Sequence, residues 1–226
     1  MNNPLISIIL PCRNEEESIG QCIIDIQKIL QENNIDGEII VSDSSHDNSP
    51  VIATSLGVTL VKHDLNGYGN AYLEGFKAAR GKYLFLADSD GSYDFSEIVN
   101  FLKYLVDYDF VIGNRLKGKI EKGSMPFLHR YLGTPILSFI FSVIHKQKIK
   151  DINCGMRGIS TVALTKLCLK SRGMEFASEM MVEAVKNNLK IKQLPINYKK
   201  RKGTSKLKTF SDGYRHLSYL ICSSIK

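Results

Sequence analysis

The chain has 226 residues, of which 43% are hydrophobic and 23% are charged, and its formal net charge is +7. This composition argues against a disordered chain, and the length suffices for one large α/β domain. Five scattered cysteines without a C-x-x-C pair argue against a disulfide framework or a structural zinc site, and they favour a reducing, cytoplasmic setting.

Short, continuous apolar runs predict the strands of a parallel sheet that is covered on both faces. The predicted strands cover residues 5–10, 38–41, 58–61, 83–87 and 110–112. Helical patterns lie between them, and the first of these begins after Asn14, which we predict to be its N-cap. The alternation of strands and helices predicts a doubly wound α/β fold.

The pattern changes after about residue 115. An apolar helix is predicted over residues 131–144, a second helix over residues 175–187, and an edge strand over residues 190–198. No Gly/Ser/Pro-rich linker separates the two parts, so we predict one domain over residues 1–226. Within it, about residues 1–115 form a nucleotide-binding half and about residues 116–226 form an acceptor-side half.

Polar clusters follow three of the predicted strands, and their sequences are "PCRNEEES", "SDSSHDNS" and "DSDGSYD". In open α/β sheets, ligands bind beyond the carboxyl ends of the strands. Asp88 and Asp90 lie one residue apart in the third cluster, and two such carboxylates can converge on one Mg²⁺ or Mn²⁺ ion. A polar turn at Gly91 explains the same pair of aspartates, but the two other clusters favour the metal site.

The stretches "ISIILPCRNEEESI", "EIIVSDSSHDNS", "GNAYLEGFKAARGKYLFLADSDGSYD", "VIGNR", "INCGMRGI" and "SEMMVEAVKNNLKIKQLPINYKKRKGTSKLKTFSDGYRHL" occur in this order along the chain. Together they resemble a family 2 glycosyltransferase of the GT-A fold, and most of all the polyprenyl-phosphate (dolichol-phosphate) sugar synthases. The resemblance covers nearly the whole chain. It implies a hexosyltransferase that uses Mg²⁺ or Mn²⁺ and a UDP- or GDP-linked sugar.

The resemblance also implies roles for individual residues. The donor would be bound by Pro11, Arg13, Glu15, Asp43, Asp88 and Ser89, and the metal by Asp88 and Asp90. In this scheme Asp43 contacts the base, and Asp88 lies near the ribose and the diphosphate. The residues expected in catalysis are Asp90, Glu179 and Arg115. The acceptor phosphate would be bound by Arg115, Arg130, Arg201 and Lys206.

Three local features bear on these roles. The family's usual Asp-Gly-Ser-Thr-Asp turn is replaced by Ser44-Ser45-His46-Asp47, and a serine, Ser92, stands where some relatives have a glutamine metal ligand. Both departures bear on the donor site. In the sequence "DINCGMR", Asp151 and Arg157 fit a salt-bridged turn, which the resemblance favours as part of the active site.

A basic segment, "KKRKGTSKLK" at residues 199–208, carries six basic residues and no acidic one. It is either a solvated surface strip or, as in related synthases, a flexible loop that closes over a phosphate. The helix predicted at residues 131–144 is either an ordinary core helix or an amphipathic helix in the membrane interface. We therefore expect a cytoplasmic protein that associates peripherally with a membrane. The apolar stretch that begins at Leu217 and reaches the chain end leaves open a membrane segment beyond it.

The expected reaction is inverting, metal-dependent transfer of a hexose to a polyprenyl (dolichyl or undecaprenyl) monophosphate at the cytoplasmic membrane face. The alternative is a peripheral glycosyltransferase that modifies a soluble or surface glycan. From another class, the basic strip is also compatible with a nucleic-acid-binding protein, but only Tyr198 and Phe210 supply aromatic rings beside it. We therefore expect no nucleic acid partner.

Overall fold

A mixed sheet of seven strands, flanked by helices, forms the centre of the protein in this computed structural model, which describes residues 3–204 and 209–223. The strands are β1 (Ile6–Cys12), β2 (Gly37–Asp43), β3 (Thr59–Lys62), β4 (Tyr83–Leu86), β5 (Phe110–Asn114), β6 (Arg157–Ser160) and β7 (Ile191–Pro195). The α-helices are α1 (Ile19–Glu32), α2 (Ser49–Ser55), α3 (Tyr68–Ala78), α4 (Glu97–Leu105), α5 (Thr134–Ile144), α6 (Thr161–Leu164), α7 (Phe176–Lys186) and α8 (Thr209–Ser223).

The strand order is β3-β2-β1-β4-β6-β5-β7. The first four strands in this order pair in parallel, which confirms the predicted doubly wound core. All five strands predicted from the apolar runs are present, as β1 to β5. β6 pairs antiparallel with both β4 and β5, whereas β7 pairs parallel with β5 at the edge of the sheet. The sheet therefore takes strands from both sides of residue 115.

Burial explains why the central strands read as continuous apolar runs. In β1, the side chains of Ile6, Ile8 and Ile9 are completely buried although they do not all lie on the same face of the strand. In β4, the ring of Phe85 meets that of Phe101 from α4 edge to face, with 5.2 Å between the ring centroids. Burial of a side chain of this size stabilises the fold by about 1.5–3 kcal/mol.

Two local predictions about the fold are wrong. Asn14 does not cap α1, because the helix begins five residues later, at Ile19, and Asn14 has a positive φ of 52°. Its Oδ1 instead accepts a hydrogen bond from the backbone N–H of His46 (2.9 Å), which links the polar segments that follow β1 and β2. The strand β6 was not predicted at all, because a four-residue strand that contains a glycine is too short to show periodicity.

The predicted apolar helix and the predicted edge strand are confirmed. The helix is α5, and a single π turn at His129–Gly133 leads into it. Such π turns are rare and often lie at functional sites. The edge strand is β7, which ends at Pro195, and an edge position is where a sheet tolerates a proline.

Candidate active site

A cavity of about 1860 Å³ opens beyond the carboxyl ends of β1 and β4, which run parallel and therefore end at the same edge of the sheet. Its wall includes Pro11, Arg13, Glu15, Ser44, Asp88, Ser89, Asp90, Arg115, His129, Tyr198 and Arg201. A site for one small ligand usually has about 300–1,000 Å³. The cavity therefore has room for two substrates, and it lies where the topology of the sheet predicts a ligand site.

The two aspartates after β4 lie together on this wall. The hydroxyl of Tyr68 donates to Asp88 Oδ1 (3.2 Å), and the backbone N–H of Ser92 donates to Asp90 Oδ1 (2.9 Å). Burial, and then the charge of Asp90, raises the pKa of Asp88 to about 7. Two carboxylates that repel each other in this way favour the binding of a cation between them.

The aspartate pair fits a divalent cation that completes its coordination with substrate oxygens. Among the described residues, no cluster of three or more Asp, Glu, His or Cys side chains is arranged to hold a metal. Mg²⁺ commonly binds one or two carboxylates together with phosphate oxygens and water, so two ligands from the protein suffice. Ser92, which stands at the position of a metal-binding glutamine in some relatives, is buried and supports Asp90 through its backbone N–H.

The expected donor-binding residues after β1 lie on the cavity wall. Pro11, Arg13 and Glu15 all line it. The hydroxyl of Ser89 donates to the carbonyl oxygen of Pro11 (2.7 Å), so the turn after β4 is tied to the end of β1. This bond fixes the distance between the predicted nucleotide pocket and the aspartate pair.

Asp43 is placed differently from the expectation. Its side chain is completely buried behind the wall, where Lys62 Nζ (2.6 Å) and the hydroxyl and N–H of Ser45 bind its carboxylate. The neighbouring Ser44 lines the cavity instead. Asp43 therefore shapes the turn at residues 44–47, and its carboxylate is not presented to a base in this structure.

Arg115, which we expected to bind the acceptor phosphate, is held by a buried carboxylate. It lines the cavity, and its backbone N–H, Nε and Nη2 all donate to the carboxylate of Asp151, at 2.8–3.0 Å. Its guanidinium also lies over the ring of Tyr198, 5.2 Å from the centroid. The predicted turn between Asp151 and Arg157 is wrong, because Arg157 donates only to backbone carbonyl oxygens in the contacts described.

Of the other described residues expected to bind the acceptor phosphate, only Arg201 is found on the cavity wall. Arg201 lies on the cavity wall, where it contacts Asp90 and Glu15. The guanidinium of Arg130 lies over the ring of Tyr131, 5.2 Å from its centroid, and neither residue lines the cavity. Lys206 lies outside the described residues.

His129, which precedes Arg130, lines the cavity and was missed in the sequence. Burial, and then the charge of Arg115, lowers the pKa of His129 below its ordinary value of 6.5. Its imidazole is therefore mostly neutral at pH 7 and offers both a donor and an acceptor. The adjacent His129-Arg130 pair was the available signal, but the sequence does not show which of the two faces inward.

Glu179, expected in catalysis, is buried on α7 beside the cavity. Its two carboxylate oxygens accept the backbone N–H groups of Lys170 (3.0 Å) and Ser171 (2.8 Å). The same loop is fixed from the other side, because Gly69 and Asn70 at the start of α3 donate to the carbonyl oxygens of residues 173 and 172. In this structure Glu179 therefore orders the wall formed by residues 170–173.

Apolar side chains form the outer part of the cavity. Leu128, Leu132 and Ile136 line the cavity and are also 41–50% exposed; they lie just before the π turn, on it and on α5, respectively. Further exposed apolar side chains on the same segment are those of Phe127, Tyr131, Phe139 and Val143. The polar end of the cavity is thus continuous with an exposed apolar surface, which we call the α5 surface.

Comparison with known proteins agrees with this architecture. Residues 7–168 match the model of glycosyl transferase family 2. The chain is 40% identical over 223 residues to the low-salt glycan biosynthesis hexosyltransferase Agl6 of Haloferax volcanii, covering 98% of this chain and 54% of that protein. It is 30% identical to the UDP-N-acetylglucosamine–dolichyl-phosphate N-acetylglucosaminyltransferase of Methanococcus voltae, covering 96% of both.

The fold has a solved counterpart in glucosyl-3-phosphoglycerate synthase of Mycobacterium tuberculosis, a structure in complex with Mn²⁺, UDP and glucosyl-3-phosphoglycerate. The TM-score is 0.78 at 19% identity, over 98% of this chain and 80% of that one. This likeness confirms the expected GT-A fold. With 162 of 226 residues matched by the family model, the chain belongs to glycosyl transferase family 2.

Proposed function

We propose that this protein transfers a hexose from a UDP- or GDP-linked sugar to a polyprenyl monophosphate, with inversion at the anomeric carbon and with Mg²⁺ or Mn²⁺ as cofactor. The observation that carries the proposal is the shape of the cavity. One end holds the aspartate pair and Arg115, and the other end opens onto the α5 surface. A lipid phosphate has the matching form, with a charged head and an apolar chain.

The relatives support the lipid acceptor. The name of the Methanococcus voltae protein gives a UDP-linked sugar as its donor and dolichyl phosphate as its acceptor, and the alignment covers 96% of both chains. The chain spans only 54% of Agl6, so that comparison supports a hexosyltransferase domain and no more.

The proposed reaction uses the residues of the cavity wall in distinct roles. Asp88 and Asp90 would hold the cation, which stabilises the negative charge of the leaving diphosphate when bound. Arg115, fixed by Asp151, would orient the acceptor phosphate so that one of its oxygens faces the anomeric carbon. That oxygen forms the new bond while the bond to the diphosphate oxygen breaks, and the diphosphate leaves with the electron pair. Attack from the side opposite the leaving group inverts the anomeric centre.

A strong general base is not needed for this acceptor. The second pKa of a phosphate monoester is about 6, so the acceptor already carries its nucleophilic oxygen as an anion at neutral pH. Glu179 is then not needed as a base, and its role is to hold the backbone of residues 170–171. His129, beside Arg115, adds a hydrogen-bonding group for the same phosphate.

The α5 surface would lie in the membrane interface, where the acceptor's chain resides. None of the helices described has the length and the apolar character needed to cross a bilayer. Amphipathic helices with exposed Phe, Leu and Tyr side chains bind instead in the interfacial plane, and a positive net charge favours an anionic leaflet.

The acceptor can be tested by competition. Labelled UDP- and GDP-hexoses are supplied with a short-chain prenyl monophosphate and, in parallel, with free sugars. We expect labelled prenyl phosphate as the product in the presence of Mg²⁺ or Mn²⁺. Transfer to the sugars alone would support the soluble-glycan alternative, and tight, steeply salt-dependent binding of RNA or DNA without transfer would support the nucleic-acid alternative.

A further inference from the structure

The basic segment is attached through its backbone to the turn that carries Asp90. The N–H of Lys199 donates to the carbonyl oxygen of Ser92 (2.8 Å), and the N–H of Lys202 donates to that of Asp90 (2.9 Å). Tyr198, one residue earlier, forms an isolated bridge with Tyr93. The backbone of residues 198–202 is therefore fixed beside the aspartate pair without any contribution from the side chain of Arg201.

The side chain of Arg201 reaches from this backbone to two carboxylates. Its Nη1 lies 3.3 Å from Asp90 Oδ2, and its Nη2 lies 3.2 Å from Glu15 Oε1. Its Nε is buried and has no hydrogen-bond partner among the described residues. The guanidinium is thus held chiefly by the two charges, in a place where its donors are only partly used.

The two oxygens of Asp90 have different partners. Oδ1 accepts the N–H of Ser92, and Oδ2 contacts Arg201. Because Oδ1 is held by a backbone N–H and Oδ2 only by a side chain that can move, we assign Oδ2 to the metal. A metal ligand lies about 2.0–2.1 Å from Mg²⁺, so a cation on Oδ2 and a guanidinium 3.3 Å from the same atom would repel each other at close range.

We propose that Arg201 and the divalent cation bind Asp90 Oδ2 in alternation. This inference rests on the cation site proposed above. In the metal-free protein, Arg201 neutralises Asp90 and Glu15, and the cation has to displace it. Arg201 thereby weakens cation binding in the absence of nucleotide, and it stabilises the metal-free protein. A residue that only held Asp90 in position for the metal would instead strengthen cation binding.

The test measures Mn²⁺ alone, without nucleotide, by electron paramagnetic resonance of the free ion and by isothermal titration calorimetry. Arg201→Gln removes the competing charge and retains a side chain of similar length. We expect it to bind Mn²⁺ about three- to fivefold more tightly than the wild type, the upper part of the range for a surface ion pair. Metal-free Arg201→Gln should also melt at a lower temperature, and Mn²⁺ should raise its melting temperature by more than in the wild type.

Lys199→Gln is the matched control. It removes the same charge from the same segment, but the ammonium of the exposed Lys199 contacts the half-buried Asp94 at 3.5 Å. We expect its Mn²⁺ affinity to stay within about twofold of the wild type, because a surface charge contributes little. An equal gain in both variants would mean that general charge, and not the contact with Asp90, sets the affinity, and would overturn the inference.

The remaining outcomes separate the inference from the proposed function. If the wild type binds Mn²⁺ and Arg201→Gln binds it equally or more weakly, the alternation is wrong and the cation site stands. If neither protein binds Mn²⁺, with or without UDP or GDP, both the cation site and the alternation are wrong. A Mg²⁺ titration of the wild type followed at the Arg201 Nε–H resonance provides a check without any variant. Displacement predicts a shift that saturates with Mg²⁺, and a resonance that stays unchanged while Mg²⁺ binds would contradict it.

Discussion

Asp151 receives three hydrogen bonds from Arg115, one from its backbone N–H and two from its guanidinium, and both side chains are almost completely buried. A buried ion pair of this kind is weak evidence for a gain in stability, because both charges lose their hydration. Here it fixes an orientation in which the guanidinium also lies over Tyr198 and lines the cavity. Nη1 takes no part in the contacts with Asp151, and it is the nitrogen that we propose for the acceptor phosphate.

Asp151→Asn keeps the shape of the side chain and removes its charge, which leaves Arg115 buried without its counter-ion. We expect the free energy of unfolding in urea to fall by about 3–5 kcal/mol. In any folded fraction, KM for the prenyl phosphate should rise while the affinity for the donor stays near that of the wild type. Asp94→Asn, which breaks the surface pair with Lys199, is the control and should cost less than about 1 kcal/mol. Equal losses in the two variants would contradict the role of Asp151.

Gly69→Ala tests the contact between α3 and the loop at residues 170–173. A Cβ at Gly69 would lie 2.1 Å from the carbonyl oxygen of Ser171, so the loop has to move. We expect lower thermal stability and a loss of transfer activity, both measured on the purified variant.

Gly213→Ala, on α8, is the matched control, because a Cβ there meets no atom within 4 Å. Alanine is favoured over glycine inside a helix, so this variant should be as stable as the wild type or more so. If Gly69→Ala behaves like Gly213→Ala, the close approach of α3 to the loop is not required.

The pairing of α7 with α8 predicts a pH dependence of stability. Nδ1 of His216 lies 2.8 Å from the hydroxyl of Ser178, and burial lowers the pKa of His216 from 6.5 to about 4. The unfolded chain takes up a proton near pH 6.5, whereas the folded protein does so only near pH 4. The stability contributed by neutral His216 is therefore complete above pH 6.5 and is lost as the pH falls towards 4, by up to about 3 kcal/mol.

Urea unfolding of the wild type and of His216→Gln at pH 7.5 and pH 4.5 measures this contribution. The wild type should lose more stability between the two pH values than the variant does. His46→Gln, at an exposed position, should retain the wild-type loss. A wild type and a His216→Gln variant with parallel pH profiles would show that α8 does not hold His216 in its neutral form.

The α5 surface predicts binding to lipid. Phe139 is 69% exposed on α5, and Val162, on α6, is 71% exposed. Phe139→Asp should reduce cosedimentation with vesicles that contain anionic lipid, because it places a negative charge where an apolar ring would enter the interface. Val162→Asp is the control and should bind vesicles as the wild type does. A loss of binding in both variants would mean that the added negative charge, and not its position on the α5 surface, weakens binding. No loss in either variant would mean that the α5 surface does not bind the membrane.

The sequence predicts the parallel half of the sheet well, because its strands are buried on both faces and read as unbroken apolar runs. The apolar run at residues 83–87, for example, corresponds to β4 at Tyr83–Leu86. β6 escaped prediction because its four residues pair with two strands that are distant in the sequence. Pairing of this kind depends on tertiary contacts that no local pattern records.

The sequence predicts which residues come to the site better than it predicts which way their side chains point. Strand ends brought the aspartate pair and the residues after β1 to one cavity, as topology requires. The direction of a side chain on a turn is not encoded in spacing, so the sequence could not show that Asp43 turns inward to Lys62 or that His129 lines the cavity while Arg130 stacks on Tyr131. For the same reason the predicted partner of Asp151 was Arg157, whereas Asp151 binds Arg115.

The proposed mechanism requires a cation at the aspartate pair, and the rate of hexose transfer by Asp90→Asn in excess Mn²⁺ tests this requirement most directly. The substitution keeps the size of the side chain and removes the charge that binds the metal. With a short-chain prenyl phosphate as acceptor, we expect the rate to fall at least about 100-fold, the size of effect seen when a group that stabilises transition-state charge is removed. Turnover close to that of the wild type would contradict the metal role of Asp90.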